Sequence, residues 1–237
     1  MSTVVLTTAN QPPAAVPHLK LTTSGPRVVS ARAAAYYWAV SGVRRIVIVD
    51  ATNTKLFNED DLRWIASTGV DIEQICYQQD TLQVQQRGKG YGEARLLEFA
   101  INNSEFLKVD QHFYKCTGKV YCRNFMEINN FIVNSQVNQC FWHHYDDQVA
   151  FNNDWVDLRL FYTSVEYARS ILIPKFLEAN DYTKAIEHCC YELLESSRER
   201  SVSPRPKLSG MSGGLGRWYS EHELGYLDMN YPSWRWK

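Results

Sequence analysis

Several absences narrow this sequence before any residue is read closely. Its six cysteines, at positions 76, 116, 122, 140, 189 and 190, form no CxxC pair and no dense framework. That argues against a disulfide scaffold and predicts a reduced, cytoplasmic setting. Excess charge is missing too: 25 Lys and Arg stand against 26 Asp and Glu, for a net charge of −1. Broad electrostatic binding of nucleic acid is therefore not expected. No apolar run approaches the length of a membrane span. The opening residues, MSTVVLTTANQPP, lack the basic region and apolar core of a signal peptide. There is no internal repeat. The GxxxxGK[ST] spacing of a P-loop is absent, which disfavours a kinase or a nucleotide hydrolase. What is present is a chain of 237 residues, 45% hydrophobic and 22% charged. Those are globular values, with enough chain for one large domain. The 7 Trp and 14 Tyr suit a core first and a carbohydrate site second.

Taken in order, the chain alternates strand and helix signals. Val4–Thr8 is a short β-branched run, hence a strand. A proline-containing loop leads to a helix over Arg27–Ser41, stopped at Gly42. Arg45–Asp50 is a continuous apolar run closing on an acid, the pattern of a buried parallel strand whose end meets a ligand. A loop over Asn53–Asn58, a helix over Glu59–Ser67 and a strand over Ile72–Tyr77 follow. The stretch Gln83–Asn124 organises the rest. Gly88, Gly90 and Gly92 read as a hinge suited to close backbone approach. Apolar residues with helical spacing occupy Glu93–Asn102. The strand His112–Cys116 then runs into Lys115-Cys116-Thr117-Gly118-Lys119, where two lysines flanking a glycine suit an anion. The bland alternative is an ordinary αβ unit with a solvated loop. Beyond it the pattern predicts a helix over Phe125–Asn134, strands over Gln139–His143 and Val156–Tyr162, and helices over Ser164–Leu177 and Thr183–Ser197. The fold class is α/β, with a mostly parallel central sheet flanked by helices and a helical C-terminal part. Residues 1–200 form one domain; residues 201–237 are a glycine- and aromatic-rich tail packing on it.

The segments VVLTT, IVIVDATN, RGKGYGEARLLEFAI, FYKCTGKVYCRN, WVDLRLFYTS, IEHCCYELL and SGMSGGLGRWY carry a resemblance. Together they resemble small bacterial-type glycosyltransferases of capsule and lipopolysaccharide clusters, with a GT-A-like, Rossmann-like fold. GKGYGE and KCTGK are the most specific parts. The resemblance implies transfer of a sugar from a nucleotide-sugar donor to a glycan or glycolipid acceptor, in the cytoplasm or at the inner membrane surface. A catalytically inactive nucleotide- or glycan-binding module on the same fold is the alternative. A nucleotidyltransferase is a weaker rival, because it needs acidic metal ligands.

A donor in such a sheet lies at the C-terminal ends of the strands. Thr8, Asp50, Lys115 and Lys119 fall there. Asp50 and Asn53 suit a uracil or ribose edge, with a turn role for Asp50 equally open. Arg27, opening a helix against its dipole, serves a phosphate or is simply solvated. The resemblance adds Gly88, Lys89, Gly90, Gly92, Glu93, Thr117, Gly118, Ser209 and Ser212 to the donor site. The family usually holds Mn or Mg with an Asp-x-Asp at the central strand end. Here the basic KCTGK segment stands in that place, and Asp110 upstream has no partner two residues on. The expectation is therefore no metal, with fixed ammonium groups neutralising the diphosphate. His143-His144-Tyr145-Asp146-Asp147 is the other metal-like cluster, but adjacent histidines on a strand point to opposite faces. For an inverting transfer Glu187, near a helix start, is the candidate base; Asp157, paired with Arg159, is the runner-up. Retention stays equally open. Trp234-Arg235-Trp236-Lys237 has the composition of a membrane-interface contact.

Overall fold

The computed structural model describes residues 3–13, 16, 19–143, 156–197, 204–213, 216, 218–222 and 225–226. The elements run β1 (Thr3–Thr8), α1 (Ser24–Val40), β2 (Arg45–Asp50), α2 (Glu59–Ala66), β3 (Asp71–Cys76), α3 (Thr81–Arg87), α4 (Lys89–Asn103), α5 (Glu105–Val109), β4 (His112–Thr117), β5 (Val120–Cys122) and α6 (Phe125–Asn134). They continue with β6 (Cys140–His143), β7 (Val156–Ser164), α7 (Val165–Tyr167), a π-helical turn (Ala168–Leu172), α8 (Ile173–Phe176), α9 (Ile186–Ser197), β8 (Leu208–Met211), β9 (Trp218–His222) and β10 (Gly225–Tyr226).

The central sheet has the order β3-β2-β1-β4-β7-β6. β3, β2, β1 and β4 are parallel, and β7 is antiparallel to β4. The expected α/β class with a mostly parallel sheet is what the chain forms. Every residue of β1 is buried, as β-branched strands covered on both faces should be. Alternate residues feed two cores. Val4, Leu6, Ile46, Ile48 and Tyr114 pack with Trp38 of α1 and Ile128 of α6. Val5, Val47, Val49 and Phe113 pack with Ala94 and Leu97 of α4 and with Phe176 and Ile186 beyond β7.

The chain winds outward from β1 through β2 to β3, then crosses back to place β4 on the other side of β1. The β1–β4 boundary is therefore the topological switch point, the place where open α/β sheets take ligands. Thr7 pairs in register with Thr117 there, and Thr8 with Asp50. A second sheet, β10-β9-β8-β5, lies beside α1. Trp38 Nε1 donates to the Val120 carbonyl at 2.9 Å and ties that sheet to the helix.

Several boundaries differ from the sequence expectation. α4 starts at Lys89, so Gly90 and Gly92 lie inside its first turns and only Gly88 is a junction. α3 fills the stretch before it, begun by the Asp80 carboxylate, which accepts from the Leu82 and Gln83 amides. α9 starts at Ile186, because the amides of Thr183 and Lys184 turn back onto the Asn180 carbonyl. After the C-terminal helices the chain returns to strands, with Leu208–Met211 paired to β5.

Candidate functional site

The switch point is built around a glycine. The Gly118 amide donates to the Thr7 carbonyl at 2.9 Å, carrying β1–β4 pairing one step past the strand. A Cβ on Gly118 would overlap Thr8 Cγ2 and lie 2.7 Å from the Thr7 oxygen. Only glycine lets β4 press this closely and turn into β5. The turn delivers Lys119 to the switch point, 6% exposed. Among the described residues its ammonium has no hydrogen bond and no ion pair. Arg27, in the first turns of α1, is 4% exposed, so the solvated reading of this residue is corrected. It is anchored by Nε donating to the Ala9 carbonyl and a terminal nitrogen donating to Leu21 at 2.8 Å. The two cations face one spot: a Cβ on Gly213 would lie 3.7 Å from Lys119 Nζ and 3.8 Å from an Arg27 terminal nitrogen. Burial pulls Lys119 down to about 7, with the Arg27 and Lys115 cations adding and the Glu93 and Asp50 carboxylates opposing. Burial likewise lowers Arg27 to about 10, against the pull of Asp50.

Other predicted residues are engaged within the protein. The Asp50 carboxylate accepts six hydrogen bonds, from the Thr8 hydroxyl, the Asn10 amide, and the amides and hydroxyls of Thr52 and Thr54. Of the two roles expected for it, the turn role consumes its oxygens. Asn53 is exposed with φ of 55°, a left-handed position that Asn tolerates. Lys115, 1% exposed, donates to the Leu158 carbonyl at 2.8 Å and forms an ion pair with Glu93. The expected convergence of both lysines on one phosphate is thus corrected: Lys115 is committed and Lys119 is not. Glu93 also accepts from the Thr7 hydroxyl at 3.0 Å. Burial pushes its carboxyl up, but Lys115, Thr7 and Lys119 together hold it below the usual carboxylate range. Thr117 is half-buried, with its hydroxyl 3.5 Å from Lys115 Nζ.

The GKGYG segment meets a side chain of the protein itself. Asp181 accepts from the Lys89 amide at 2.8 Å and the Gly90 amide at 3.4 Å, filling the N-terminus of α4. Gly88 has φ of 94°, and a Cβ there would overlap Asp181; a Cβ on Gly90 would lie 2.9 Å from its Oδ1. Gly92 packs on the Gln79 amide, and the Lys89 side chain is exposed. Asp181 was not foreseen; the Asn180-Asp181 turn dipeptide was its one signal.

Glu187 lies in the first turn of α9, next to Ile186, which packs on Gly90. Burial pushes its carboxyl up to about 7, with Glu93 and Asp181 adding and Lys89 opposing. Asp157 sits at the same sheet edge, gripped by Arg159 Nε at 2.8 and 3.1 Å, as its expected pairing required. Ser209 is buried in β8 opposite Tyr121, and Ser212 is half-buried beside Gly213. Asp110 lies at the opposite edge, accepting from Thr3 at 2.6 Å and Arg45 at 3.0 Å, out of reach of the crevice. Among the described residues no group of three or more His, Cys, Asp or Glu is placed to hold a metal. His143 closes β6; His144, Tyr145, Asp146, Asp147 and Trp234–Lys237 lie outside the described residues.

The chain matches no family model and no curated protein. Among solved structures it is similar to a glycosyltransferase involved in the glycosylation of the major capsid of PBCV-1. The identity is 10% and the TM-score 0.47, over 85% of this chain and 81% of that one. Among the described residues no helix is long and apolar enough to cross a membrane.

Proposed function

We propose that the protein is a glycosyltransferase that moves a sugar from a nucleotide-sugar donor to a glycan or glycolipid acceptor. The donor diphosphate sits in the crevice between β1 and β4. The observation carrying this reading is Lys119, an almost wholly buried ammonium with no hydrogen bond or ion pair among the described residues, beside a second buried cation. Leaving such a charge unpaired is costly, and an anion entering the crevice relieves it. The switch point is also where open α/β sheets take their ligands. The GKGYGE and KCTGK segments, through the family they resemble, support a nucleotide sugar as that anion.

The chemistry then divides between the crevice and α9. When the bond from sugar C1 to the donor oxygen breaks, its electron pair stays on the β-phosphate oxygen. Charge grows where Arg27 and Lys119 already point, and fixed cations in a dry site stabilise it without reorganising. The acceptor hydroxyl oxygen bonds to C1 and its proton passes to Glu187. A carboxyl near 7 is well matched to that task at neutral pH. Asp157 is the weaker candidate, since it would have to leave Arg159 to accept a proton.

The test is incubation with a panel of nucleotide sugars, following release of free nucleoside diphosphate with and without glycan acceptors. Turnover of one donor is expected. Binding without turnover, acceptors included, would replace the transferase with the inactive binding module.

A further inference from the structure

We propose that Arg27 and Lys119 take the place of a divalent cation, so that the donor diphosphate is held and released without a metal. This rests on the diphosphate reading above and says what neutralises that group. The residues present do not fit a metal of the kind the resembled family uses. Where that family carries Asp-x-Asp, β4 ends at Thr117 and the turn Gly118-Lys119 follows, so the side chain presented there is a cation.

Asp50 and Asp157 have both carboxylate oxygens occupied, and Glu93 has one, Oε1. Asp50 accepts from the Thr8, Asn10, Thr52 and Thr54 groups. Glu93 is held by Lys115 and Thr7, and Asp157 by Arg159. Magnesium and manganese take oxygen ligands, carboxylates first. Recruiting Asp50 would break its turn hydrogen bonds, and recruiting Asp157 would strand Arg159. The field points the same way. With Lys119 protonated, Arg27, Lys115 and Lys119 outnumber Asp50 and Glu93, the carboxylates that act on it. A diphosphate diester, with two negative charges, corrects that balance; a dication worsens it. In the transfer the C1–O bond breaks, the electron pair remains on the diphosphate and its charge rises by one. The acceptor proton goes to Glu187, so neither cation needs to give up a proton.

The experiment is calorimetric titration of the full chain with inorganic pyrophosphate and with uridine, guanosine and cytidine diphosphates. Each is run in EDTA and again in excess Mn2+, for the wild type, Lys119→Gln and Lys119→Arg. Binding in EDTA is expected, unimproved by Mn2+, weakened at least tenfold in Lys119→Gln and largely kept in Lys119→Arg. Thermal melting of each variant shows whether it is folded, and the arginine variant tests the charge if the glutamine one is not. Binding that needs Mn2+ and ignores Lys119→Gln would overturn the metal-free inference while leaving the diphosphate reading intact. No binding of any of these anions under either condition would overturn the diphosphate reading itself.

Discussion

The two edges of the central sheet use charge in opposite ways. At the edge where the parallel strands begin, Asp110 bonds Thr3 and Arg45, and Glu73 takes the Glu105 amide at 2.8 Å together with the Ser104 hydroxyl. These charges staple loops and helix starts to strand starts. At the edge where the strands end, Asp50, Glu93, Lys115 and Asp157 are matched just as closely. Lys119 is not, and Glu187 is held close to neutral pKa by burial and by two nearby carboxylates. Buried charge alone therefore does not mark a site in this protein. The marks are a cation with no hydrogen bond or ion pair among the described residues and an acid that keeps its proton up to near neutrality.

The largest effect that would break this contrast is at the acid. Glu187→Gln is expected to keep the fold and donor affinity while turnover falls about a hundredfold or more, the scale of general-base loss. Steady-state rates beside donor titration check it. An unchanged rate would pass the role to Asp157 and return Glu187 to a helix-start residue.

Next in size is the glycine that brings the strands together. Gly118→Ala is expected to cost about 1–3 kcal/mol or more, because the neighbour that must yield is backbone, the Thr7 carbonyl. Denaturant unfolding measures it, and donor affinity should fall with it as Lys119 is displaced. Undiminished stability would show that β1 and β4 can part without loss, and the crevice would lose its rigid floor.

The sequence carried the strand ends well and the partners poorly. Arg45–Asp50 was legible to the residue because a continuous β-branched run closing on an acid has few other readings. α3 was missed because it buries little beyond Val84 and has no apolar stripe to see. Leu208–Met211 read as glycine-rich tail, yet Gly210 has φ of 140° and lies hard against the Lys119 carbonyl, so the glycine serves a strand contact. Lys115 and Lys119 look alike in sequence. Which one is committed depends on Glu93, brought from α4 across the β1–β4 boundary, and no spacing rule encodes that contact. The role of Asp181 was hidden for the same reason, since it exists only once the turn before α9 is laid against the start of α4.

A smaller effect separates the unpartnered cation by its titration. Lys119 is faced by Arg27 from α1, Glu93 from α4, Lys115 from β4 and Asp50 from β2, and sits near 7 rather than 10.5. An anion favours the charged form, so affinity for a nucleotide sugar should be level below pH about 7. Above it affinity should fall, approaching tenfold per unit until the bound-state value is reached. The diphosphate of a nucleotide sugar is a diester and does not titrate in this range. Glu187 must be ionised to act, so turnover rises with pH through about 7. kcat/KM should then form a bell near neutrality, measurable across pH 5–9, the falling limb lost in Lys119→Arg. The same two groups bear on stability with opposite signs. Between about 7 and 10.5 the unfolded chain binds more protons at Lys119, so stability rises with pH. Between 4.5 and about 7 the folded chain holds the Glu187 proton longer, so stability falls as pH rises.

The smallest expected effect comes from the opposite edge. Asp110→Asn keeps an oxygen for the Thr3 hydroxyl but removes the charge facing Arg45, a pair 31% and 11% exposed. Partly solvated pairs of this kind contribute about 1 kcal/mol at most. Stability should fall by that amount, while donor affinity and the neutral-pH bell stay where they were. Lys119→Gln should do the reverse, leaving stability at pH 7 unchanged or raised, because it removes a buried charge whose desolvation outweighs the pull of Glu93 and Asp50. Unfolding the two variants side by side reads the contrast as a difference in sign, which does not depend on the magnitude of either. If both variants lose stability equally, Lys119 is a structural cation like Arg45, and the anion site at the switch point loses its chief support.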